Sequence, residues 1–148
     1  MKIFVYFTGR PKDVHANAIA ADFIGRAARF APCEMREINP TKFDIFTRHP
    51  AARKIFLDPL GKELDSNGFA KILDTAAMQG QDLVFLIGGH DGLTPEMRQK
   101  ADFLLSLGRM TWPHELARAM NAEQIYRGFV EQGLPPLSLP QPVGAAGL

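Results

Sequence analysis

The sequence predicts an α/β domain built on a largely parallel sheet. Apolar runs of strand length alternate with segments whose apolar residues recur at helical spacing, which is typical of βαβ units. The clearest run is Leu83–Ile87, which lies between Asp82 and a Gly-Gly pair, as expected of a strand buried on both faces. A length of 148 residues leaves room for one domain with a substantial core.

The other elements are predicted from apolar spacing and from capping residues. Asp13 and Ser66 are residue types that cap helices, and each precedes a segment with helical periodicity. The prolines and exposed-looking polar residues of 39–50 predict a loop, with His49 as an ordinary surface histidine. The predicted strands are residues 2–7, 33–38, 52–57, 83–87 and a short 110–112; the predicted helices are residues 13–29, 66–78, 94–105 and 114–131.

Three loops are expected to gather at the carboxyl edge of this sheet. They are residues 57–61, 88–92 and 107–113. In open α/β sheets ligands bind at that edge, and a slot with apolar side chains and backbone polar groups suits an adenine ring. The loop Gly88-Gly89-x-x-Gly92 matches neither the dinucleotide fingerprint nor the phosphate loop. A tight turn without a ligand and a ligand loop both remain open at this point.

Composition limits the classes of function. The formal net charge of +1 gives no bulk argument for nucleic acid, although residues 1–62 carry 11 Lys and Arg against 6 Asp and Glu. That basic part fits either a polyanionic partner or an ordinary mixed surface. The single cysteine, Cys33, excludes an internal disulfide and a multi-cysteine zinc site, and it is predicted to be a buried small hydrophobe. Without a signal peptide or an apolar run of membrane-spanning length, a cytoplasmic location is expected.

Several ordered motifs between about residue 52 and residue 129 resemble one known family. They are Leu86-Ile87-Gly88-Gly89-x-x-Gly92-Leu93, Ser106-Leu107, Met110-Thr111-x-Pro113-His114, Arg118, and Glu123-Gln124-Ile125-Tyr126-Arg127. With these motifs the chain resembles the ribosomal RNA large-subunit methyltransferase H family. This is a small SPOUT-class group that methylates N3 of a pseudouridine in large-subunit ribosomal RNA.

The resemblance implies a fold, a cofactor and partners. The fold would be a parallel-sheet SPOUT α/β domain over residues 1–133, with helices on both faces and a C-terminal trefoil knot. S-adenosylmethionine would be the methyl donor, ribosomal RNA in the large subunit or whole ribosome the substrate, and a second copy the partner in a homodimer, with no metal and no membrane. Residues 134–148, rich in Pro, Gly and Ala, are predicted to be an extended tail.

The resemblance also implies site residues. The cofactor contacts would be Leu57, Gly88, Gly89, Leu107, Gly108, Arg109, Met110, Thr111, Trp112 and Pro113. Leu107 and Met110 are candidates for the adenine slot. His114, Arg118 and Arg127 are the catalytic candidates, because a base or a charge that stabilises the nitrogen anion would help the transfer. Each has a structural alternative, since His114 begins a helix and both arginines have glutamates at helical spacing.

The chain departs from the family pattern at its C-terminal end. Family members end in a Pro-Tyr-His-basic segment that reaches the active site, whereas residues 133–138 here read Gly-Leu-Pro-Pro-Leu-Ser. Arg109 also stands where a small residue is common. Three hypotheses follow: a ribosomal RNA methyltransferase, a non-catalytic dimer that keeps the fold and binds cofactor or RNA, and a nucleotide-binding α/β domain of other chemistry.

Overall fold

The computed structural model describes residues 1–133, and they form one all-parallel five-stranded sheet with five helices. The strands are β1 (Ile3–Phe7), β2 (Cys33–Glu37), β3 (Arg53–Glu63), β4 (Leu83–Ile87) and β5 (Phe103–Ser106). The helices are α1 (Val14–Ala27), α2 (Ile45–Arg48), α3 (Ser66–Gln79), α4 (Pro95–Lys100) and α5 (His114–Glu131). The order across the sheet is β2-β1-β4-β3-β5, so the predicted parallel α/β class is confirmed.

Helices pack on both faces of the sheet, as expected. On one face, called here the thick face, α1, α3 and α5 cover a large apolar core that includes Val5, Ile55 and Phe85. On the other, the thin face, the short helices α2 and α4 cover a smaller cluster around Phe56 and Leu86. Successive residues of a strand point to opposite faces, so the continuous apolar run Leu83–Ile87 fills both clusters.

Local sequence signals predicted several elements correctly. Every residue of β4 is buried, as its unbroken apolar run predicts. Asp13 is the N-cap of α1, and its side chain accepts hydrogen bonds from the backbone N–H of His15 and Ala16. The N-cap of α3 is Asp65 rather than the predicted Ser66, with its carboxylate accepting from the N–H of Gly68.

The predicted helix over residues 94–105 is wrong in its second half. The helix α4 ends at Lys100, and Leu104 and Leu105 lie in β5. Ala101 is extended, and next to it Asp102 donates its N–H to the carbonyl of Lys54 (2.9 Å) and accepts the N–H of Lys54 (2.8 Å). Pairing with β3 thus overrides the helical pattern. A segment of only four residues, Phe103–Ser106, is too short for its apolar spacing to distinguish a helix from a strand. The predicted strand over 110–112 is an exposed loop.

Two further boundaries differ from the predictions. The loop 39–50 contains α2, capped by Asp44, and His49 is half-buried, with its Nε2 2.7 Å from the hydroxyl of Tyr6. The strand β3 continues through the predicted turn at 58–62, but its pairing with β5 shifts there, so that Leu105 is opposite both Leu57 and Lys62. The turn residues form an irregularity within a longer strand.

Two predictions stay open at the level of the fold. The predicted tail over residues 134–148 lies outside the described residues, and the trefoil knot remains an expectation from the resemblance. Among the helices of residues 1–133, none combines the length and the apolar character that crossing a bilayer requires.

Candidate active site

A cavity of about 420 Å³ lies at the carboxyl edge of the sheet. Its floor includes Leu57, Ile87 and Leu105, which lie near the carboxyl ends of the paired parts of β3, β4 and β5. Three segments form its walls, namely residues 58–60, residues 88–93 and residues 107–112 without Arg109, together with the start of α5. The three predicted loops therefore do converge, and the volume is that of a site for a small organic molecule.

The Gly88-Gly89 pair allows the second wall to fold back on itself. A Cβ at Gly88 would lie 2.9 Å from the carbonyl carbon of Gly92, and one at Gly89 would lie 3.0 Å from the carbonyl oxygen of Thr8. The N–H of Gly89 also donates to the hydroxyl of Thr8 at 2.7 Å. The wall therefore contacts the end of β1, and its close backbone packing leaves no room for a side chain at Gly88 and little room at Gly89.

The third wall is held by a buried serine. The Ser106 hydroxyl donates to the carbonyl of Gly108 (2.9 Å) and accepts the N–H of Gly108 (3.2 Å). Gly108 has a φ of +135°, which residues with a side chain rarely adopt, and Trp112 packs beside it. Met110 is 69% exposed at the rim, so an apolar side chain stands at the mouth of the cavity.

An ion pair between a buried aspartate and a partly exposed arginine forms part of the first wall and was not predicted from the sequence. The Asp58 carboxylate lies 2.9 Å from Nε of Arg98 in α4, and it accepts the N–H of Leu60 at 2.8 Å. Both charged residues line the cavity. An acid that directly follows an apolar strand was the available signal for Asp58, whereas nothing local identifies Arg98 as its partner.

Eight of the ten predicted cofactor residues line this cavity. They are Leu57, Gly88, Gly89, Leu107, Gly108, Met110, Thr111 and Trp112. Arg109 and Pro113 do not line it. The side chain of Arg109 is 94% exposed and lies 3.8 Å from Glu63, and Pro113 is the N-cap of α5. Arg109 therefore points away from the cavity and does not crowd it.

The three catalytic candidates lie in different places. His114, half-buried at the start of α5, lines the cavity, and no side chain caps the helix there. Arg118, one turn further on, is fully buried and does not line it. Arg127 lies beside a second cavity, between α1, α3 and α5, where it pairs with Glu123. The structure brings only His114 to the first cavity.

Arg118 instead joins α5 to the end of β1. One terminal nitrogen donates to the carbonyls of Thr8 and Gly9, each at 3.1 Å, and the guanidinium carbon lies 3.9 Å from the ring centroid of Phe7. Burial lowers the pKa of this guanidinium from its ordinary value, an effect that Glu115 opposes. Thr8 also accepts a hydrogen bond from the N–H of Gly89, so Thr8 connects Arg118 to the cavity wall.

Metal chemistry has no evident ligand set in the described chain. Within residues 1–133, no group of three or more His, Cys, Asp or Glu side chains is arranged to hold a metal ion.

Comparison with known proteins decides the family. A family model described as "Predicted SPOUT methyltransferase" matches residues 1–132. The ribosomal RNA large subunit methyltransferase H of Solibacter usitatus is 66% identical over 129 residues, covering 87% of this chain and 93% of that protein. This chain belongs to that methyltransferase family. The protein of the same name from Rhizobium leguminosarum bv. trifolii is 37% identical over 147 residues, covering 86% and 92% of the two chains.

Solved structures support the SPOUT fold of this methyltransferase. The A. aeolicus TrmH/SpoU tRNA modifying enzyme aligns with a TM-score of 0.57 at 13% identity, covering 93% of this chain and 81% of that one. The SpoU methyltransferase AviRb of Streptomyces viridochromogenes, solved in complex with AdoMet, aligns with a TM-score of 0.54 at 15% identity, covering 88% and 61%. The prediction of a SPOUT-class methyltransferase is thus confirmed at the level of the family.

Proposed function

We propose that this protein transfers the methyl group of S-adenosylmethionine to N3 of a pseudouridine in large-subunit ribosomal RNA. The observation that carries the proposal is the convergence of three walls on one cavity in a chain of this family. Ribosomal RNA is proposed as the substrate because the relatives' names contain it, and the pseudouridine is proposed because of the motif resemblance.

The residues of the cavity fit S-adenosylmethionine. Leu107 and Met110 offer apolar surface for the adenine, and the backbone of the surrounding loops adds polar groups to the lining. Asp58, paired with Arg98, adds an acceptor at the wall. Apolar surface with a few polar groups at its edge matches a ligand that combines a flat ring with hydroxyl and charged groups.

The chain itself needs to supply little chemistry. S-adenosylmethionine, when bound, supplies a methyl group on a positively charged sulfur, which is already activated for transfer. The new bond forms between that methyl carbon and N3 as the carbon–sulfur bond breaks, and N3 loses its proton. The protein's part is therefore to hold the nucleophile in line and to accept that proton.

His114 is the proposed proton acceptor, since it is the catalytic candidate that lines the cavity. Arg118 is proposed as a positioning residue, because its guanidinium donates hydrogen bonds to the carbonyls of Thr8 and Gly9 and does not line the cavity. The replacement His114→Asn should lower kcat about a hundredfold while leaving the affinity for S-adenosylmethionine within about twofold. Equal losses of cofactor affinity and kcat would instead make His114 a binding residue.

Two measurements test the proposed function in turn. Calorimetric titration of the full chain with S-adenosylmethionine should give one site per chain at micromolar affinity. Large subunits from a strain lacking the enzyme should then acquire one methyl group on N3 of a pseudouridine, located by mass spectrometry of digested RNA. Label on another atom or nucleotide would refute the substrate proposal, and the absence of binding heat would refute the cofactor site.

A non-catalytic binding protein is the second candidate, favoured by the absence of the family's Tyr-His-basic ending. It predicts cofactor binding without methyl transfer. Attaching that ending after residue 133 and repeating the methylation assay separates the two functions. Activity in the unmodified chain excludes the second candidate, whereas activity that appears only after the graft supports it.

The predicted homodimer is retained as part of the proposal. Ile19, Leu116 and Val130 are large apolar residues that are 38–48% exposed on α1 and α5, and the second cavity between α1, α3 and α5 has a volume of about 640 Å³. Exposed apolar side chains on these helices, with Ile19 lining the cavity, suit a protein partner. Sedimentation equilibrium should give twice the chain mass, and Leu116→Glu should shift the population towards monomer.

A further inference from the structure

The turn between β1 and α1, residues 8–13, is hydrogen-bonded to α5 at both its start and its end. Arg118 donates to the carbonyls of Thr8 and Gly9, while the Glu115 carboxylate accepts the N–H groups of Lys12 and Asp13. These N–H bonds, that of Lys12 foremost, hold the pKa of Glu115 below its ordinary value, so the carboxylate is charged at neutral pH. The backbone of an exposed turn is therefore fixed to the helix that carries His114.

This turn stands at the edge of the cavity. A Cβ at Gly9 would lie 3.8 Å from the Cα of Gly89 and 3.9 Å from Nε2 of His114, and both of those residues line the cavity. Gly9 has a φ of +92°, which residues with a side chain rarely adopt. The following residues, Arg10 to Lys12, are exposed to solvent beside the site.

The two cationic side chains on this turn are exposed and unpaired within the described chain. Neither Arg10 nor Lys12 forms an ion pair with any residue of 1–133. Two carboxylates of this region are used elsewhere, because Asp13 caps α1 and Glu115 accepts backbone N–H groups. Because the backbone of the turn is already fixed, little conformational entropy is lost when a polyanion binds to its cationic side chains.

We propose that Arg10 and Lys12 bind RNA phosphates next to the target nucleotide, and that the turn 8–13 is a preformed phosphate-binding arm of the active site. The inference rests on the proposed function for its RNA substrate. A nucleotide that enters the cavity beside His114 brings its flanking phosphates to the rim, where these two cations stand. Phosphate contacts of this kind set register and affinity and do not read sequence.

The experiment compares the full-length double variant Arg10→Ala/Lys12→Ala with the wild type. Large subunits that lack the methyl group serve as substrate, and initial rates are measured over a range of salt concentrations. The KM for subunits should rise roughly tenfold, and the dependence of log kcat/KM on log salt should become shallower by roughly one for each phosphate interaction that the variant removes. The dissociation constant for S-adenosylmethionine should stay unchanged.

Two further variants serve as controls. Arg29→Ala removes an exposed arginine at the opposite edge of the sheet, just before β2, and should behave as wild type. The double variant Arg10→Lys/Lys12→Arg keeps both positive charges and should have a KM for subunits close to that of the wild type. An unchanged KM and salt dependence in the double alanine variant would overturn the inference, as would an equal loss of cofactor affinity, which would make the turn merely structural.

The design separates failure of this inference from failure of the proposed function. If the wild type transfers no methyl group, the proposed function fails, and the arm is then tested by retention of subunits on filters. Weaker retention of the double alanine variant, but not of Arg29→Ala, would support the arm. Equal retention of all variants would overturn it.

Discussion

The two faces of the sheet are covered very differently. Helices of 14, 14 and 18 residues, α1, α3 and α5, pack on the thick face. Helices of four and six residues, α2 and α4, pack on the thin face. The cavity lies at the edge where the two meet, since α5 contributes His114 from one side and α4 contributes Arg98 from the other. A deep core on one side thus supports a site whose other side consists of short, locally held segments.

The thin face is held by contacts between aromatic rings and polar or charged side chains. The Arg36 and Arg48 guanidinium groups lie over the ring of Phe43, at 4.9 and 5.4 Å from its centroid. The Tyr6 hydroxyl lies 2.7 Å from Nε2 of His49, and the Tyr6 ring packs against Phe43. These contacts combine apolar packing with polar partners, as expected where short helices leave the sheet half-covered. We therefore expect the thick face to contribute most of the stability, and the thin face to add a pH-dependent part through His49.

The largest expected effect is a packing defect in the core of the thick face. Leu73→Ala removes a fully buried side chain of α3 and should lower the free energy of unfolding by about 2–5 kcal/mol. Phe46→Ala, on the half-buried thin-face helix α2, should cost less than about 2 kcal/mol despite the larger side chain. Urea denaturation measures both, with the exposed Met78→Ala on α3 as a near-neutral control. Equal costs at Leu73 and Phe46 would remove the distinction between the faces.

The second effect concerns the loop that connects the faces at the cavity. Gly88→Ala forces a Cβ against the backbone of Gly92 and should weaken S-adenosylmethionine binding at least about tenfold, or about 1.4 kcal/mol. Gly25→Ala is the matched control, because its Cβ meets no atom within 4 Å and α1 gains a better helix former. Calorimetry compares the two variants. Similar affinities in both would mean that the loop does not contact the cofactor.

The third effect is a pH dependence located on the thin face. Burial, followed by the charge of Arg48, lowers the pKa of His49 below its ordinary value of 6.5. The unfolded chain therefore binds the proton first, and the stability from neutral His49 is present above pH 6.5 and is lost as the pH falls through the folded-state pKa. Urea titrations across that window should show stability falling towards acid. His49→Gln should flatten the curve, and an unchanged slope would exclude His49 as the cause.

The smallest effect is a slow thiol reaction at the edge of the thick face. Burial, with help from Glu34, raises the pKa of Cys33 to about 12. Thiolate is therefore scarce at pH 8, and Cys33 should react with a thiol reagent far more slowly than a free cysteine, then at the free rate in denaturing urea. Fast labelling of the native protein would mean that β2 opens readily at this edge.

Much of the fold followed from local patterns. The unbroken run Leu83–Ile87 specified a strand buried on both faces, and the Asp13 cap specified the start of α1. The prediction failed where a short pattern had two solutions. Leu104 and Leu105 fit a helix as well as a strand, and pairing with β3 decided for the strand, with one leucine serving each face.

The site was predicted to a similar extent. Loops after successive parallel strands must meet at one edge, so Leu57, Gly89 and Leu107 could be grouped in advance. The Asp58–Arg98 pair and the Thr8–Gly89 bond could not, because their partners are 40 and 81 residues apart in the chain and no local periodicity relates them.

The sequence by itself determined the elements, the parallel sheet and the edge at which a ligand would bind, because hydrophobic period and turn chemistry act over a few residues. Only the tertiary structure decided that Arg118 is buried behind the site, and that Arg10 and Lys12, exposed beside it, form no ion pair with residues 1–133. Those outcomes depend on how α5 packs against the end of β1, and packing between segments a hundred residues apart is set by the whole fold.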